Sequence, residues 1–172
     1  GACVNSFRDY FQMGESTARE CVSRVAIGIA TNEELCKIYL RTMSPADAKR
    51  VERMHYDKHG VSGMVGSLDC THIDWHRCPT AFHGQYKGKG KTATLVMEAV
   101  ADYNLWFWHV AFGYPGTLND INIWDSSLLH KALIDGSFAT NDFPFDIGGI
   151  TFALLWFLVD GIYPNLSRFV ET

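Results

Sequence analysis

The chain has 172 residues, of which 47% are hydrophobic, 13% aromatic and 20% charged, with a formal net charge of −4. A chain of this size makes one domain, or one with a small appendage, and buries roughly 70% of its unfolded surface. The mild acidity rules out a global basic signature, which weighs against a nucleic-acid binder without excluding a local basic patch.

Residues 1–60 carry helical patterns. Phe7, Tyr10, Phe11 and Met13 suggest a short amphipathic helix. Ser16 is a candidate N-cap for a second helix, in which Cys21, Val22, Val25 and Ile29 recur at helical spacing. Glu33 to Met43 gives a third, with Leu35, Ile38 and Tyr39 facing inward. Ser44-Pro45 opens a fourth, with Ser as N-cap and Pro at the first helical position, running through Ala48, Val51 and Met54 to an exit bracketed by Gly60 and Gly63. A helix, a turn and a helix opened by Ser-Thr resembles a helix-turn-helix unit; without a basic face, a helical subdomain packed on the core is the better reading.

After Gly63 the pattern changes. Met64 to Trp75 reads as a strand with a carboxylate, Asp69, in its middle. Lys87-Gly88-Lys89-Gly90-Lys91 is a basic loop, followed by a hairpin of two strands, Thr92 to Ala101 and Leu105 to Gly113, joined by the turn Asp102-Tyr103-Asn104. One helix is expected from about Asn119 to Leu133, a loop over 136–149, a strand from Thr151 to Val159 ending at Asp160-Gly161, and a last helix after Pro164. Helices, a three-strand meander, then helix and strand is the element order of an α/β RNase H-like mixed sheet with flanking helices. The expected division is a helical region over 1–60 and a core over 61–172.

The chemistry is expected at three aspartates. A bare carboxylate in a dry core costs several kcal/mol unless it is paired, neutralised or bound to metal, so Asp69 calls for partners. Asp120, at the mouth of a helix, could serve as a cap, and Asp160, before Gly161, as a turn residue. Together the three could converge at the strand ends of an open α/β sheet, where functional groups gather. Close like charges need a cation, and oxygen ligands suit Mg²⁺ or Mn²⁺. Two such ions would stabilise the attacking and leaving oxygens of a phosphoryl transfer.

A family resemblance rests on these segments. Gly66-Ser67-Leu68-Asp69-Cys70-Thr71-His72, Trp75-x-x-Cys78-Pro79, Gly84-Gln85-Tyr86, Glu98-Ala99-Val100-Ala101, Leu105-Trp106-Phe107-Trp108-His109, Gly116-Thr117-Leu118-Asn119-Asp120-Ile121-Asn122 and Leu158-Val159-Asp160-Gly161-Ile162-Tyr163-Pro164 resemble the PIF/Harbinger transposases. The nearest branch is the one called plant transposon protein, which Met13 to Cys21 also resembles. The resemblance implies a DDE-type transposase or nuclease core that cuts and joins DNA with divalent metal, with Asp69, Asp120 and Asp160 as catalytic and metal-binding residues. It implies transposon-end and target DNA as partners, a Myb-like DNA-binding partner protein, and a nuclear location. The family also carries a Glu in an Arg-x3-Glu helix beyond the Asp-Gly-x-Tyr-Pro motif, so the core is expected to continue past Thr172. Glu171 lacks that context, and Asp146 to Trp156 departs from the family pattern. The alternative function is an inactive, transposase-derived DNA- or protein-binding module, or a decayed transposon fragment.

The remaining candidates are weaker. Lys87, Lys89 and Lys91, beside Tyr86, are the expected nucleic-acid contacts, against a plain solvated loop. Five cysteines without a Cys-x-x-Cys pair indicate a reduced intracellular compartment. Cys70, His72, His76 and Cys78 fit no common zinc spacing. His72 and His76 should lie on the strand face opposite Asp69. Trp106, Phe107 and Trp108 are expected in the core, Asp74 and Asp102 at turns or the surface, and Glu98 is a further mid-strand carboxylate. No apolar run approaches the about 18 residues of a membrane span, no signal peptide is visible, and a first residue of Gly suggests a piece of a longer protein.

Overall fold

The computed structural model describes residues 8–88, 90, 92–138 and 143–172. It divides into two units, Gly1–Arg41 and Thr42–Thr172. In the first, α1 (Arg8–Phe11), α2 (Glu15–Thr31) and α3 (Glu33–Tyr39) follow one another. The cap of α2 is Gly14 rather than Ser16, without a side-chain hydrogen bond. Asn32 caps α3 by accepting from Leu35 N. No residue of α2 is buried, and Val22, Val25 and Ile29 are exposed.

The second unit begins with α4 (Pro45–His59), which starts where the Ser44-Pro45 signal places it. Ser44 and Asp47 form a reciprocal capping box, Ser44 Oγ accepting from Asp47 N at 3.2 Å and Asp47 Oδ2 accepting from Ser44 N at 3.1 Å. The sequence groups this helix with those before it. In the structure it packs on the sheet, because Ala48 and Val51 on its apolar stripe are fully buried in the sheet's core.

The sheet is built from β1 (Met64–Asp74), β2 (Thr94–Ala101), β3 (Phe107–Pro115), β6 (Trp156–Val159) and β7 (Phe169–Glu171), in the order β3-β2-β1-β6-β7. A separate hairpin pairs β4 (Phe145–Ile147) with β5 (Ile150–Phe152). Between β1 and β2 lie a 3-10 turn (Thr80–Phe82) and α5 (His83–Tyr86); α6 (Asp120–Ser126) and α7 (Leu128–Asp135) follow β3. β1 is antiparallel to β2, β2 antiparallel to β3, and β1, β6 and β7 run parallel. This five-stranded mixed sheet with flanking helices, following a helical N-terminal region, is the architecture expected of an RNase H-like core.

Period-two alternation sets the two faces. Leu68, Val100, Phe157 and Val159 are buried with Trp124 and Leu129 of α6 and α7. The other face carries Asp69, Ala99 and Val110 in one cross-strand row, and Thr71, Met97 and Phe112 in the next. Val110, Phe112 and Ile73 there are exposed.

Beyond β3 the expected elements differ in several places. The helix over Asn119 to Leu133 is two helices, because Ser127 leaves the helical conformation to cap α7. The strand over Thr151 to Val159 divides between the hairpin and the sheet, with 153–155 in neither. No helix follows Pro164 among the described residues; Phe169–Glu171 instead pairs with β6 as an edge strand, burying Phe169 against Trp124 with ring centroids 4.9 Å apart.

Candidate functional site

β1, β3 and β6 run in the same direction. Through β2, Ile73 near the end of β1 is level with Pro115 at the end of β3, whereas β6 ends at Val159, one residue beyond the Ser67–Leu158 pair. Asp69 is within β1, Asp120 opens α6 a few residues beyond β3, and Asp160 follows β6 directly. The β1–β6 register pairs Ser67 with Leu158; extended along both strands, it sets Asp160 level with Asp69 on the neighbouring strand. Both are exposed. Asp69 is therefore not the buried carboxylate the apolar strand suggests. It belongs to the uncovered face, and its Oδ1 accepts from Cys70 N at 2.8 Å.

Asp120 has different surroundings. Asn119, not Asp120, caps α6, its Oδ1 accepting from Asn122 N at 2.9 Å. Asp120 lines a cavity of about 200 Å³ with His72, Lys87, Gly88, Gly116, Thr117, Leu118, Asn119 and Ile162. His72 alternates onto the face opposite Asp69, where its Nδ1 meets Thr94 Oγ1 at 2.9 Å. Two loops pressed together form the wall of this cavity. A Cβ on Gly88 would stand 2.2 Å from Gly116 O, and one on Gly116 would stand 2.1 Å from Thr94 Oγ1 and 2.6 Å from Tyr86 O. Only glycine permits that approach. Thr117 Oγ1 donates to Gln85 O at 2.8 Å and Gly116 N to Thr94 O at 3.0 Å, closing the seam.

A polar cluster gathers around Cys70 and Glu98. Tyr163 OH donates to Cys70 Sγ at 3.3 Å. Burial pushes the Cys70 thiol up to about 12; the Tyr163 hydrogen bond opposes this, and the charges of Asp120, Glu98 and Asp69 add to it. Burial also raises the Tyr163 phenol well above its ordinary range. Glu98, in register with Cys70 on β2, is fully buried. Its Oε2 accepts from Ser127 Oγ at 2.5 Å and meets His109 Nε2 at 2.9 Å, while its Oε1 has no protein partner. The sequence gives Glu98 no partner, because His109 and Ser127 come from other elements.

Lys87 is exposed at the cavity rim. Lys89 and Lys91 lie outside the described residues. Glu171, which the sequence motif leaves unassigned, stands beside Val159 on β7, near the Asp160-Gly161 turn. Asp102 is buried rather than superficial, because its carboxylate accepts from Asn104 N, Trp106 N and Trp108 Nε1. Trp108 is in the core, whereas Phe107 is exposed. A larger cavity of about 640 Å³ follows β3 from Trp108 to Pro115 and contains none of the expected site residues.

Among the described residues, no three His, Cys, Asp or Glu side chains gather where they could hold a metal ion. What the register offers is a pair, Asp69 and Asp160. A pair suits Mg²⁺, which typically keeps several waters and takes one or two carboxylates plus substrate phosphates. Among the described residues no helix is long and apolar enough to cross a membrane.

A family model described as plant transposon protein matches residues 37–172. No curated protein and no solved structure matches the chain.

Proposed function

The chain belongs to the plant transposon protein family, and from that premise we propose that residues 42–172 form a DNA-processing core of the PIF/Harbinger kind, which cuts and joins phosphodiesters. The observation that supports this reading is the parallel pairing of β1 with β6: the Ser67–Leu158 register, continued by two residues, reaches Asp69 within β1 and Asp160 just after β6. Two carboxylates brought to neighbouring positions in this way would be set before substrate arrives.

In this reading Asp69 and Asp160 would hold a divalent cation, Mg²⁺ or Mn²⁺, and Asp120, the third aspartate of the motif set, lines the separate cavity with His72 and Lys87. The bound cation supplies charge stabilisation of the phosphoryl oxygens. The protein's own groups orient the strand. Lys87 is placed to meet a backbone phosphate, with Lys89 and Lys91 beside it in sequence. Tyr163 holds the Cys70 side chain through its hydroxyl, and Cys70 is in register with Glu98. DNA is the substrate, a Myb-like protein the expected partner, and the nucleus the expected location.

The test is cleavage of DNA by this chain with Mn²⁺ or Mg²⁺, against the same chain with Asp69→Asn. Metal-dependent cleavage that the substitution removes supports the reading; cleavage unchanged by it overturns the assignment of Asp69. A second reading, an inactive DNA- or protein-binding descendant, is favoured by the lack of a three-ligand group among the described residues. Salt-dependent DNA binding without cleavage is the result that selects it.

A further inference from the structure

The cavity beside Asp120 has features that coordinating a cation does not require. Its volume, about 200 Å³, is below the roughly 300–1,000 Å³ of pockets that enclose drug-sized ligands. It is too small for a stretch of oligonucleotide and of the right order for one flat ring with part of its sugar. Its wall is stiff, because the Gly88–Gly116 contact and the hydrogen bonds of Gly116 and Thr117 pin both loops. Its lining is mixed. Leu118 and Ile162 are its apolar members, Lys87 is an exposed cation of its lining, and His72 is held through Nδ1, leaving Nε2 without a protein partner. Apolar side chains, a few polar groups and a cation are what a nucleobase on a phosphate backbone requires.

We infer that this cavity receives a single unstacked nucleotide of a DNA strand, its base between Leu118 and Ile162 and its phosphate at Lys87. The inference rests on the DNA-processing reading and adds to it a place where one nucleotide of the strand leaves its stack. Seating a base there costs unstacking energy, least where the strand is already single or mismatched. The pocket therefore favours single-stranded or distorted DNA over a perfect duplex.

The experiment uses the whole chain and a single-stranded oligonucleotide carrying the fluorescent base 2-aminopurine at successive positions. Binding is followed separately by the anisotropy of a terminal dye. The expected result is brightening at one position on binding. Ile162→Trp, which fills the cavity from a partly exposed site, should abolish the brightening while overall affinity falls no more than roughly fivefold. Leu118→Trp provides a second filling variant should Ile162→Trp fail to fold. If the oligonucleotide binds but no position brightens, or if both filling variants leave the brightening intact, the pocket inference fails and the DNA-processing reading stands. If no DNA binds, both fail. A free deoxynucleoside monophosphate binding as tightly as the oligonucleotide would also overturn the strand reading.

Discussion

Ser127 Oγ donates to Glu98 Oε2 at 2.5 Å, and both residues are completely buried. The same hydroxyl accepts from Leu129 N at 3.0 Å to cap α7. One side chain therefore ends α6, starts α7 and ties the break to the middle of β2. Truncation at Glu98 should be severe. Glu98→Ala removes a buried carboxylate and leaves Ser127 and His109 without their acceptor, for an expected loss of about 3 kcal/mol. Glu98→Gln keeps an acceptor and should cost about 1–2 kcal/mol. Urea unfolding midpoints of the two variants measure the difference.

Exposure separates Asp69 and Asp160 from the fold's stability. Asp69→Asn and Asp160→Asn should each shift the unfolding midpoint very little. Each should reduce metal-dependent DNA cleavage by at least about a hundredfold, as loss of a preorganised electrostatic group does. A variant that lost stability and activity together would place its carboxylate in the scaffold instead.

Lys87→Ala tests the phosphate contact. The slope of log affinity against log salt should fall by about 0.7 for single-stranded DNA, one phosphate's share. An unchanged slope would return Lys87 to the solvated loop.

His55 gives the stability a pH dependence. It is 4% exposed, and neither ring nitrogen has a partner. Burial is the largest influence on it and lowers its pKa from 6.5, with Asp102 opposing and His59 reinforcing the shift. A folded value below the unfolded one means that the unfolded chain binds the proton first. This contribution is fully present above pH 6.5 and is lost as pH falls through the depressed folded value. Thermal melts from pH 7.5 down to pH 5 should show falling stability, flattened in His55→Leu.

Cys70 should resist alkylation. A thiol held up near 12 carries almost no thiolate at pH 8, whereas Cys21 is exposed. Mass spectrometry after brief maleimide treatment of the native protein should find Cys21 labelled and Cys70 bare, and both labelled after denaturation.

What the sequence could convey followed the range of each signal. Ser44-Pro45 is a local cap signal and was legible as one, with Asp47 completing the box in the structure. β1 and β2 alternate over enough residues to declare their period, but not which face is covered: Asp69 is exposed and Glu98 fully buried. Ser127 gives no local warning of a helix break, because its decisive partner, Glu98, is 29 residues earlier. β7 has three residues, too few for any periodicity, and exists because Phe169 pairs with Phe157. The aspartates followed the same rule. Motifs located all three, and the strand register then set Asp69 and Asp160 level. The sheet faces, which no motif specifies, put Asp120 in a cavity with His72 and Lys87.

The place of β1 at the centre of the sheet also has a kinetic consequence. Its pairing with β2 is local, but its pairing with β6 waits for distant sequence. Trp156 Nε1 donates to Ser62 O across 94 residues. Loop closure of that length slows folding, and during synthesis the β1–β2–β3 meander must emerge well before β6. In that interval β1 presents an unsatisfied backbone edge and fully apolar side chains such as Leu68 to the solvent. Such species aggregate, so the yield of folded protein should depend on chaperones and low temperature more than its final stability would suggest.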